Sequence, residues 1–117
     1  MGMYDIDRSA LLLVPRQPVV DWLNRVSTGE EEVSLDSLCN ETTVILIPDF
    51  DSEQELVVYL KKNAKEFFER QLGEWSTEEE TWPAKRDYDT FMKWFSISWH
   101  TMVFDAVEGP GDGFEVN

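Results

Sequence analysis

Few residues in this 117-residue chain have types and spacing that bear on chemistry. His100 is the single histidine and Cys39 the single cysteine. A histidine can act as general base or metal ligand near neutral pH. A zinc site needs several ligands, however, and a nucleophilic cysteine needs a positioned base. No motif joins these two residues, so neither a metal nor a cofactor is expected. His100 stands among Trp99, Met102 and Phe104, where an ordinary strand position is the simpler explanation. The run Asp49-Phe50-Asp51-Ser52-Glu53-Gln54-Glu55 alternates acids as a calcium loop does. Gln54 occupies the sixth position, where glycine is required, and Leu60 the twelfth, where a carboxylate is required. Helix capping accounts for the same residues. The glycines are scattered or lie in the tail, so no Gly-rich cradle for phosphate is formed. A domain this small seldom offers the long cleft that paired glycosidase carboxylates need.

The constellation that points to binding is aromatic and acidic. Trp82-Pro83 precedes Arg86, and Glu78, Glu79 and Glu80 precede both. A guanidinium near tryptophan stacks on the ring or pairs with acids such as Asp87 and Asp89. Tryptophan and arginine are also frequent anchors of protein interfaces. These five residues are therefore the candidate binding site, beside the plainer expectation that Trp82 anchors a loop.

Charge limits the partners. Asp and Glu number 24 against 10 Lys and Arg, a formal net charge of −14. Such an excess repels nucleic acid and anionic membrane surfaces and attracts basic proteins. Direct nucleic-acid binding is not expected, and no apolar run is long enough to span a membrane. The start Met1-Gly2 resembles a myristoylation signal, but Ile6 stands where Ser or Thr is needed. A lone cysteine and no signal-peptide pattern predict a cytoplasmic protein. A homo-oligomer is compatible with all of this.

The elements that must position these residues follow from periodicity. Residues 10–14 form an unbroken apolar run stopped by Pro15, which predicts a central strand buried on both faces. Pro18 suits a first helical turn, and Val19, Trp22, Leu23 and Val26 recur at helical spacing until Gly29. A short turn of helix is expected over residues 34–38, then a second strand over 43–47, stopped by Pro48. Ser52 and Glu55 form a capping box that opens a long helix near 53–72, with Gly73 at its end. Leu56, Val57, Leu60, Ala64, Phe67, Phe68 and Trp75 share one side of it. Lys61, Lys62, Lys65 and Arg70 interleave with acids elsewhere. Thr77 and Glu80 are placed to cap a short turn, and Asp87 to start a third helix near 87–95. A last strand is read over 97–104, with Ile97, Trp99, Thr101 and Val103 on one face.

This order, β-α-β-α-α-β, predicts an α+β two-layer sandwich with about three helices on a small, mixed, three-stranded sheet. The first two strands are expected to be parallel neighbours joined by a right-handed crossover. Trp22, Leu60, Phe67, Phe91 and Trp99 are the expected core. Residues 1–105 make a single domain, and 106–117 a flexible tail.

The chain resembles a family of short bacterial α/β proteins without an assigned activity. The likeness rests on Val14-Pro15 with Pro18 and Asp21-Trp22-Leu23, on Ile47-Pro48, on Trp82-Pro83, and on Trp94-Phe95 with His100, Met102-Val103 and Asp105. It covers most of residues 10–105. The resemblance implies a bacterial cytosolic source and brings no functional residues with it.

The leading functional expectation is a non-enzymatic interaction or modulator protein whose partner presents a basic surface. A nucleic-acid mimic that inhibits a DNA- or RNA-binding protein is the second. It would need acids across one continuous face, whereas the long helix interleaves them with lysines. A small enzyme using His100 is the third, and requires a concave pocket around that residue.

Overall fold

Residues 8–15 form the strand around which the rest of the chain is arranged. In the computed structural model, which describes residues 4–26, 32–38 and 40–107, this strand is β2 (Arg8–Pro15), preceded by β1 (Tyr4–Asp5). Then follow α1 (Gln17–Val26), α2 (Leu35–Leu38), β3 (Thr43–Pro48) and α3 (Glu53–Trp75). A 3-10 turn (Glu79–Thr81), α4 (Tyr88–Trp94), β4 (Phe95–His100) and β5 (Phe104–Asp105) complete the described chain. Gly29, Cys39 and the tail from residue 108 lie outside the described residues.

The α+β sandwich with one three-stranded sheet is as expected, and its strand order is β3-β2-β4. The strand directions differ from expectation. β3 pairs antiparallel to β2, with Leu13 opposite Thr43 and Arg8 opposite Pro48. β4 is also antiparallel to β2, from Pro15 opposite Phe95 to Ala10 opposite His100. The sheet is therefore wholly antiparallel instead of mixed. β2 ends and β3 begins at the same end of the sheet, as the register of Leu13 opposite Thr43 shows. The true crossover is the one from β3 to β4. There α3, at 1.5 Å per residue about 35 Å long, carries the chain past β2 to the far edge.

Side-chain alternation sets the layers. Ser9, Leu11, Leu13 and Pro15 are fully buried beneath the helices. Leu12 and Val14, on the opposite face, are half-buried, and beside them Val44 and Leu46 are 59% and 53% exposed. Helices thus cover one face of the sheet, where a central strand buried on both faces was expected.

α3 begins as its sequence predicts. The Ser52 hydroxyl accepts from the Glu55 N–H at 3.2 Å, and the Glu55 carboxylate accepts from the Asp51 N–H at 2.8 Å. Its buried stripe is Leu56, Leu60, Ala64, Phe68 and Leu72, a four-residue spacing that keeps one face on the sheet. Each fully buried Leu or Phe contributes roughly 1.5–3 kcal/mol of transfer free energy. Phe68 is the centre of an aromatic cluster, its ring 5.3–5.8 Å from those of Trp94, Phe91 and Phe95. Phe67 is only half-buried; it stands 100° round the helix from Phe68, at the edge of the buried stripe. Trp99 is likewise half-buried, whereas Trp22, Leu60 and Phe91 are buried as expected. Gly73 does not end the helix, which continues to Trp75.

The last strand stops at His100, earlier than the expected residue 104. Beyond it the Ile6 N–H donates to the Val103 carbonyl at 3.3 Å, and β5 pairs with β1 in a separate two-stranded ladder. Thr101 and Val103 therefore do not extend the face of Ile97 and Trp99.

Candidate functional site

The segment 76–87 holds the residues that the sequence nominates. The Trp82 indole N–H donates to the Ser76 carbonyl at 3.0 Å, and Arg86 lies over the ring, 5.8 Å from its centroid. Arg86 Nε donates to Glu69 at 2.8 Å and its terminal nitrogen to the Pro83 carbonyl at 2.7 Å. Its acidic partner is thus Glu69 on α3, not Asp87 or Asp89. With both side chains only 24% and 32% exposed, the pair and the stacked ring clamp this segment to α3. Trp22 holds it from the other side, its indole N–H donating to the Thr81 carbonyl at 2.8 Å. The expected short turn is present over Glu79–Thr81, but Glu78 precedes it and no side chain caps it. Glu78, Glu79 and Glu80 are exposed. The structure brings Trp82 and Arg86 together as a base from which the three glutamates project into solvent.

α4 starts as expected at Asp87, whose carboxylate accepts from the Thr90 N–H at 3.0 Å and the Thr90 hydroxyl at 2.6 Å. Those bonds, the hydroxyl first, hold the Asp87 carboxyl below its ordinary value.

His100 is exposed on the sheet face away from the helices, its Nε2 2.9 Å from the Ser98 hydroxyl. Among the described residues there is no group of three His, Cys, Asp or Glu side chains arranged to hold a metal. The calcium-like run is used locally. Asp49 accepts from the buried Ser9 hydroxyl at 2.9 Å, while Ser52 and Glu55 cap α3.

A cleft that was not foreseen lies between β3 and α3, with a volume of about 780 Å³. One wall is the edge of the sheet over residues 43–46, with Glu41 and Thr42 just before it. The other is a stripe of α3 made by Glu66, Phe67, Arg70, Gln71, Glu74 and Trp75. Those positions repeat every four residues, so they form one continuous helical face. Consecutive residues of a strand point to opposite sides; that all of 43–46 line the cleft means that it runs along the strand's backbone edge. The Thr43 hydroxyl donates to the Gln71 side-chain oxygen at 3.0 Å, and the Trp75 indole N–H to Glu41 at 3.1 Å. Trp75 is kept in place by stacking on Phe95, with ring planes 9° apart. Ile45, Phe67 and Trp75 give the cleft apolar surface. Its charges are Glu41, Glu66 and Glu74 against Arg70, three negative and one positive for a net −2. Arg70 is already engaged with Glu74 at 3.7 Å.

The chain was compared with known proteins. No protein-family model matches it, and the searches of curated proteins and of solved structures yield no match. No helix among the described residues is long and apolar enough to cross a membrane.

Proposed function

We propose that this chain is a non-enzymatic interaction protein of the bacterial cytosol, a modulator that binds a partner protein through that partner's basic surface. The observation that carries this reading is the cleft between β3 and α3, apolar within and net negative at its rim. Apolar walls supply affinity on contact, while the rim acids select against acidic partners. A net charge of −14 speeds encounter with a basic protein and disfavours nucleic acid. Glu78, Glu79 and Glu80 follow in the chain directly after the α3 wall and extend the negative field, with Trp82 and Arg86 as their rigid base.

The test is a titration of the protein with an unstructured lysine-rich peptide, followed by backbone amide shifts. Shifts are expected along the cleft. Binding should weaken as salt rises to several hundred millimolar, because exposed charges are screened beyond about 8 Å at physiological ionic strength. Glu66→Gln with Glu74→Gln should weaken it too, and neutralising residues 78–80 to Gln should slow association more than it speeds dissociation. Binding indifferent to salt and to these substitutions would mean that the acidity serves solubility alone.

A further inference from the structure

Among the described residues, β3 is an edge strand without the usual protection of one. Natural edges are blunted by charges, prolines, bulges or a covering element. Residues 43–47 are Thr, Val, Ile, Leu and Ile, with no charge among them, and proline comes only at position 48. The pairing with β2 is unbroken from Leu13 opposite Thr43 to Arg8 opposite Pro48, so no bulge twists the edge away. On its outer side β3 has no strand partner among the described residues. An uncharged edge of this kind in a chain otherwise rich in charge is an invitation to pairing.

Resting on the cleft assigned above, we infer that its occupant is an extended basic segment of the partner, which adds as a fourth strand antiparallel to β3. Strand addition supplies affinity through main-chain hydrogen bonds and specificity through alternate side chains. One set of the partner's side chains would enter the cleft against Ile45, Phe67 and Trp75. The other set would lie on the outer sheet face beside Val44 and Leu46, which are 59% and 53% exposed. Basic side chains reach Glu41, Glu66 and Glu74 at the rim. Charge also decides between this occupant and a second copy of the chain. Pairing β3 with its own copy across a two-fold axis would face the same net-negative rims against each other, and like charges so placed are repulsive. The antiparallel direction continues the pattern of the sheet and gives the better-aligned hydrogen bonds.

The experiment uses the full chain and a short peptide of alternating lysine and valine. It is compared with two versions N-methylated at alternate amides, either the lysine set or the valine set. In an added strand only one set of amides faces β3, so one methylated peptide should lose about tenfold or more in affinity. The other should bind nearly as the parent does. Hydrogen exchange of the β3 amides should slow when the parent peptide is bound. Equal effects of the two methylations, or none, with binding still lost in Glu66→Lys with Glu74→Lys, would overturn strand addition and leave the basic-partner reading standing. Absence of binding by the parent peptide, or binding unchanged by those two substitutions, would overturn both.

Discussion

The Thr43 hydroxyl donates to the Gln71 side-chain oxygen across 3.0 Å, tying edge strand β3 to the helix that forms the opposite wall of the cleft. Gln71 is 5% exposed, so water cannot readily replace this donor. Thr43→Val keeps the shape and removes the hydroxyl. It should lower stability by about 0.5–1.5 kcal/mol in urea denaturation and widen the cleft enough to weaken peptide binding. Unchanged stability and binding would show that the tie is incidental.

Neighbouring phenylalanines on α3 should behave differently. Phe68 is fully buried, and Phe68→Ala should cost about 3–5 kcal/mol. Phe67→Ala should cost clearly less, since that ring is already partly in solvent, but should reduce affinity for the lysine–valine peptide. Denaturation and titration of the two variants side by side check both statements.

Gly73 lies inside α3, and a methyl group added there would meet only the Trp82 ring, at an ordinary 3.8 Å. Gly73→Ala should therefore stabilise the protein by about 0.5–1 kcal/mol, the usual gain from removing glycine from a helix interior. A thermal melt should shift upward. A fall would mean that the helix packs more tightly against Trp82 than the geometry indicates.

Asp87 makes the start of α4 sensitive to pH. Its hydrogen bonds with Thr90 hold the folded carboxyl below the ordinary 3.8. A depressed folded value contributes stability that is present above the unfolded value and is lost as pH falls through the folded one. Wild type should melt above Asp87→Ala at pH 7, and the gap should narrow as pH drops below 3.8. A gap that stays constant down to the most acidic measurable pH would contradict the capping role.

The parts of this fold that were legible in the sequence are those with local causes. The Ser52–Glu55 cap and the Asp87 start depend on residues a few positions apart, and both helices begin where those signals lie. The turn at residues 35–38 was readable for the same reason; β2 is central as expected, although the burial on both faces from which its place was read is absent. Pairing direction was not, because a strand–helix–strand pattern says nothing about which end of the sheet the second strand starts from. Nor could spacing decide whether Phe67 or Phe68 faces the sheet. Stacking of Arg86 on an aromatic face was one of two alternatives open in the sequence; its salt bridge to Glu69, 17 positions away, was not among them. The cleft was hidden because Ile45, Phe67 and Trp75 each look like core residues. They become a wall only once β3 is known to be an edge and α3 its neighbour.

The strand order has a consequence for how the chain is made. Leu11 of β2 pairs with Ile45 and with Trp99, partners 34 and 88 positions later. On the ribosome β2 emerges before both of its neighbours, and its apolar run waits for β4 until residues 95–100 have followed. Contacts so distant in sequence slow folding, since a long loop must close before they form. Nascent chains released before residue 95 would lack β4 altogether and present β2 with a bare side. Such products are expected to aggregate and to draw chaperones.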